Sequence, residues 1–148
     1  MMRRLALIAV LVGVWGPGGA ALAADSSQPY LGTWAAHLSL DQLYDLGLDP
    51  RLAGKFRLVL RTNGTYTTFN SLDGSSRGRF TTSGRRIVFA HDVGCETALG
   101  VDQAGVYRWS VAQGRLKLTP MRIGSDPCGG RWQTLTYPIW TKRVGDAE

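Results

Sequence analysis

The 148-residue chain predicts an all-β fold, an eight-stranded antiparallel up-and-down β-barrel with a short helical insertion after the first strand. Three observations carry that expectation. Apolar and polar residues alternate with period two through most of the chain beyond residue 55, the pattern of strands buried on one face. The alternating runs are separated by short turns at Asn63-Gly64, Asp73-Gly74, Ser83-Gly84 and Gln113-Gly114. A Gly32-x-Trp34 element opens the earliest run, which a barrel needs to close against its last strand.

The first 23 residues stand apart from this pattern. Arg3 and Arg4 precede an apolar run from Leu5 to Trp15, and Ala21-Leu22-Ala23 matches an A-x-A cleavage site, as in an export signal. Gly16-Pro17-Gly18-Gly19 ends the run well short of the roughly 20 apolar residues that span a bilayer. Cleavage after Ala23, a secreted or periplasmic destination and one domain over 24–148 are therefore expected, with no stable membrane insertion afterwards. Loss of Arg3 and Arg4 leaves 15 basic against 11 acidic side chains. These cations form no run in the sequence, whereas nucleic-acid binders cluster them, so no nucleic-acid partner is expected.

In an exported chain, Cys95 and Cys128 are expected to form one disulfide. Chain entropy alone makes such a bond worth about 3 to 4 kcal/mol. The pair lacks C-x-x-C redox spacing, and with His37 and His91 it would make a zinc site only by coincidence of folding. No metal and no cofactor are expected.

Taken in order, a first strand at 31–38 gives way to a helical stretch, with Asp41 as cap, Leu43 and Leu46 on one face, and Gly47 as stop. A second turn follows Pro50. The strand at 55–62 puts Phe56, Leu58 and Leu60 on one face and Lys55, Arg57 and Arg61 on the other. Read as a two-residue turn, Asn63-Gly64 sets Leu60 opposite Thr67 and Leu58 opposite Phe69 on the strand 65–71. Asp73-Gly74 then sets Phe69 opposite Gly78 and Thr67 opposite Phe80 on 76–82. Ser83-Gly84 sets Phe80 opposite Ile87 and Gly78 opposite Phe89 on 85–91. One apolar face results, containing Leu58, Leu60, Phe69, Phe80, Ile87 and Phe89.

Residues 92–104 read as a loop holding Cys95 and the acidic Asp92, Glu96 and Asp102. The strand 105–111 carries Tyr107, Trp109 and Val111 inward, and Gln113-Gly114 sets Val111 against Leu116 and Trp109 against Leu118 on 115–121. After a loop bearing Cys128, the last strand is expected at 131–140. Closure brings Trp34 near Trp140 or Arg143, with an Arg143 cation–π contact on Trp34 as a structural plug.

Gly32-x-Trp34, the helical insertion, the tight hairpins and the late Arg143 together resemble the lipocalin-like, or calycin, barrels. Asn63-Gly-Thr-Tyr66, Gly105-Val-Tyr107-Arg-Trp109, Leu116-Lys-Leu118 and Cys128…Arg131…Trp140 resemble small secreted bacterial lipocalin-like domains of uncharacterised function. The resemblance implies a small hydrophobic ligand in the barrel cup, beneath a lid at 39–54. Leu43, Leu58, Phe69, Phe80, Phe89, Tyr107 and Trp109 are the ligand-contact candidates, against the plainer reading that they fill the core. A filled barrel that binds a protein partner through its disulfide-tied loops is the alternative. No nucleophile accompanies His37 or His91, so no catalytic residue is assigned.

Overall fold

The computed structural model describes residues 28–71, 74–95 and 103–144. The export signal expected at 1–23, together with Glu96 and Asp102, lies outside the described residues. Eight antiparallel strands close in sequence order into a barrel: β1 Gly32–Leu38, β2 Gly54–Leu60, β3 Thr65–Asn70, β4 Gly74–Ser83, β5 Arg86–Ala90, β6 Gly105–Ala112, β7 Arg115–Pro120 and β8 Trp140–Lys142. Helix α1, Leu40–Asp45, and a 3-10 turn at Pro50–Leu52 join β1 to β2, and helix α2, Gly129–Thr136, precedes β8.

Helix α1 starts at a capping box. The Ser39 side chain accepts from the Gln42 backbone N–H and the Gln42 side chain accepts from that of Ser39, so Ser39 is the cap in place of Asp41. Leu43 is fully buried in the barrel core, whereas Leu46 at the helix end is exposed.

The turns decide which side chains enter the barrel. At β6–β7 the expected register holds, with Val111 opposite Leu116 and Trp109 opposite Leu118. Gln113 and Gly114 both have positive φ, as a two-residue turn of this hand requires. At Asn63-Gly64 only Gly64 has positive φ, and Arg61 donates its N–H to the Thr65 carbonyl, giving a three-residue loop. The β2–β3 register therefore slips by one residue, to Leu60 opposite Tyr66 and Leu58 opposite Thr68. At β3–β4 a three-residue connection between Asn70 and Gly74 makes a second odd shift, placing Phe69 opposite Ser75 and Tyr66 opposite Gly78.

Two odd shifts cancel for β4 but not for the strand between them. Tyr66, Thr68 and Asn70 of β3 thus face inward, while Phe69 points outward and is 43% exposed. This corrects Phe69 as a cup residue. Gly78 leaves room for a ring: a Cβ there would stand 2.7 Å from Cε1 of Tyr66. At β4–β5 the register moves by two, pairing Phe80 with Phe89 and keeping Phe80, Ile87 and Phe89 inside.

The stretch expected as a strand at 131–140 is mainly helix, and β8 is only three residues long. Trp132, Thr134, Thr136 and Tyr137 favour strands by type, but burial recurs at Arg131, Thr134, Leu135 and Pro138, a helical spacing. Packing outweighs propensity. The barrel closes through Trp34 opposite Lys142 and Ala35 opposite Thr141. Lys142, one residue before Arg143, places its Nζ 5.3 Å from the Trp34 ring centroid and is the cation found there.

One end of the barrel is plugged by Tyr30. Its ring lies 4.9 Å from that of Trp109, its hydroxyl hydrogen-bonds Thr82, and its carbonyl accepts from Nε1 of Trp34. Above this plug, Phe80, Phe89, Tyr66 and Tyr107 form a chain of ring contacts. The opposite end carries α1, the segment from Asp92 to Cys95 after β5, and α2.

Candidate functional site

At the end opposite Tyr30 the barrel interior becomes polar, because β3 presents Tyr66, Thr68 and Asn70 where an apolar face was expected. The buried Asp92 follows β5, and the buried Asp126 precedes α2. Asp92 accepts hydrogen bonds from the hydroxyls of Tyr66 and Ser76 and from the Cys95 N–H. Asp126 accepts from the hydroxyl of Tyr107, the Cys128 N–H, and Nε and Nη2 of Arg131, the last two at 2.8 Å. Asp126 also lies directly over Gly105, where any Cβ would collide with its carboxylate.

Burial raises the pKa of both tyrosine hydroxyls, and the adjacent carboxylate adds to the effect, Asp92 for Tyr66 and Asp126 for Tyr107. Burial works against the Arg131 charge, but hydrogen bonding to Asp126 and its negative charge outweigh it, holding the guanidinium protonated. Cys95 and Cys128 are joined, as expected, with Cα atoms 5.7 Å apart, and clamp the two aspartate-bearing segments together.

A cavity of about 450 Å³ opens among these groups, lined by Thr68, Asn70, Ser76, Asp92, Arg131 and Thr134 and walled by the disulfide and Gly129-Gly130. Two features of its wall stand out. Helix α2 begins here without a side-chain cap, since the side chain of its N-cap residue Cys128 is in the disulfide. Arg131 has a side chain only 1% exposed, donates through Nε and Nη2 to Asp126 and through Nη2 to the Gln103 carbonyl, and has no hydrogen-bond partner at Nη1. The Tyr66 hydroxyl gives its proton to Asp92, and its oxygen, beside Arg131, favours the guanidinium charge both as a neighbouring dipole and as a weak acceptor.

Of the ligand-contact candidates, Leu43, Leu58, Phe80, Phe89 and Tyr107 are buried in the core. Trp109 is half-buried at the closed end, packed on Tyr30 and donating Nε1–H to the Gly84 carbonyl, so it is placed away from the open end. Trp34 and Trp140 are fully buried, and Arg143 donates its backbone N–H to the Thr33 carbonyl beside the seam. His37 and His91 are exposed, and among the described residues no three metal-ligating side chains cluster. Among them, too, no helix is long and apolar enough to cross a membrane.

The residues that build the polar end, Tyr66, Asp92, Asp126 and Arg131, were not candidates from sequence. Asp92-x-x-Cys95 and Asp126-x-Cys128 carried the signal: an acid close before each half of the disulfide. Comparison with family models, curated proteins and solved structures finds no match for this chain.

Proposed function

We propose that the chain is an exported, lipocalin-like binding module that holds a small, polar, uncharged molecule at the open end of its barrel. The observation that carries this reading is Arg131 Nη1, a buried donor without an acceptor in the wall of a cavity, beside the uncapped start of α2. Donors at such a helix start favour an oxygen acceptor from a ligand. Every oxygen of Asp92 and Asp126 already accepts a hydrogen bond. Two carboxylates against one guanidinium oppose a full negative charge, so a hydroxyl- or carbonyl-bearing neutral molecule fits best. A volume of about 450 Å³ is in the range of small-molecule sites.

The apolar ligand expected from the family resemblance would have to displace rings already in contact with one another. The polar cavity asks for a different one. The role proposed is binding.

Native mass spectrometry of protein purified from its own host, followed by NMR titration with neutral polyols and with carboxylates, tests the proposal. Polyols are expected to shift the amides of Gly129, Gly130 and Arg131. The variant Gly130→Leu, whose Cβ meets nothing within 4 Å, is expected to fill the cavity and abolish those shifts while the fold is kept. Equal shifts in the variant, or preference for carboxylates, would refute the site.

A second reading rests on the exposed apolar side chains Met121, Ile123 and Ile139 on the connection between β7 and β8. They suit a protein partner on that connection. Capture of a partner that is lost with Ile123→Asp would favour it.

A further inference from the structure

A cavity of about 760 Å³ lies outside the barrel, on the outer face of β8, β1, β2 and β3. Its position follows from alternation: Trp34, Leu58 and Tyr66 point inward, so Ala35, Val59, Thr67 and Phe69 point out. Ala35, Val59 and Phe69 supply an apolar floor, and Val59 is 5% exposed although it faces outward. Lys55, Arg57, Arg61 and Arg143 stand around it, and among the described residues no aspartate or glutamate lines it. A second cavity of about 460 Å³ shares Arg61 and Thr67 with the first and adds Arg77 and Arg79, and no carboxylate among the described residues lines it.

Cations that are scattered in the sequence are thus gathered on one face, because they occupy outward positions of neighbouring strands. Such a face attracts negative charge. The long cationic side chains bring apolar stems down to the floor while their heads stay in water. Arg61 is oriented within this face by donating Nη1–H to Oγ1 of Thr67.

We propose that this groove binds single-chain anionic amphiphiles, one molecule at a time: an alkyl chain lies along Ala35, Val59 and Phe69, and the head group is met by Arg57, Arg61 and Arg143. Charge complementarity selects the anionic head, and the apolar floor selects a chain. A polyanion such as nucleic acid or a sulfated polysaccharide would use the cations but not the floor. This site is separate from the open end and stands or falls independently of it.

The test is displacement of a fluorescent long-chain carboxylate from the mature protein below its micelle concentration. Dodecanoate is expected to compete at least about tenfold better than dodecanol or dodecyltrimethylammonium, an affinity difference of about 1.4 kcal/mol. Phe69→Ser and the double variant Arg57→Gln, Arg143→Gln are each expected to weaken binding about tenfold or more with unchanged near-ultraviolet circular dichroism. Added salt should weaken dodecanoate binding. The proposal is overturned if dodecanol competes as well as dodecanoate, or if either variant binds normally. Binding only to heparin or only to phosphatidylglycerol vesicles would equally overturn it, in favour of a polyanion or a membrane surface.

Discussion

Asp92 and Asp126 are held in matching ways on the two sides of one disulfide. Each accepts the hydroxyl of a buried tyrosine, Tyr66 or Tyr107, and each accepts the backbone N–H of the cysteine that follows it, Cys95 at 3.1 Å and Cys128 at 2.9 Å. The loops over the open end are thereby fastened to the barrel wall through both covalent and polar links. Asp126 is paired with a cation, Arg131, and the cavity lies beside that pair.

Breaking that pair has a directional cost. Asp126→Asn leaves the Arg131 guanidinium buried without its counter-charge and is expected to destabilise the protein by about 3 to 5 kcal/mol. Urea unfolding followed by tryptophan fluorescence measures it. Replacing both partners, Asp126→Asn with Arg131→Met, should recover part of the loss.

Stability should fall at alkaline pH through Tyr66 and Tyr107. Both hydroxyls have folded-state pKa values raised above the unfolded value near 10, so their contribution is complete below about pH 10 and declines as pH rises from there. Each contributes a slope of up to about 1.4 kcal/mol per pH unit in that window. Absorbance at 295 nm is expected to show their ionisation only together with unfolding, and Tyr66→Phe should make the decline shallower.

The disulfide should be quantitative and stabilising. Denatured, unreduced protein is expected to show no free thiol, since no free cysteine is present. The double variant Cys95→Ser, Cys128→Ser is expected to lose about 3 to 4 kcal/mol, measured by denaturant titration beside the parent.

Two phenylalanines separate the observed register from the one expected from turn types. Phe69→Ala should change stability by less than about 0.5 kcal/mol, because its ring faces out. Phe89→Ala should cost about 3 to 5 kcal/mol, because its ring touches Tyr66, Phe80 and Tyr107. Equal effects would contradict the inverted β3.

The barrel, its strand order and its disulfide were legible from alternation, turn residues and the two cysteines, because each is encoded locally or by a single pairing. Gln113-Gly114 gave its register correctly, since both residues take the positive φ expected of them. Asn63-Gly64 did not: the same dipeptide serves two-residue and three-residue loops, and the choice inverts a strand. Thr65 to Asn70 alternates too weakly to arbitrate, with threonines on both faces. Helix α2 was hidden because Arg131, the residue that anchors it inside, belongs to a type usually found at the surface. Its partner Asp126 comes from a loop, so the pair becomes visible only in three dimensions. The polar end and the outer groove escaped notice for one reason: both depend on which face of β3 looks inward.

The seam between β1 and β8 has a consequence for the order of assembly. The first strand of the barrel meets the last through two residue pairs, Trp34 with Lys142 and Ala35 with Thr141, and β8 holds β7 through only two more. A ring whose clasp joins its first strand to its eighth cannot close before β8 has formed. Until then β1, paired with β2 on one side, is an open edge on the other. Latching of Trp140 and Lys142 is the step that turns the ribbon into a cylinder, and hydrogen exchange should find the same short clasp the first part of the ring to reopen.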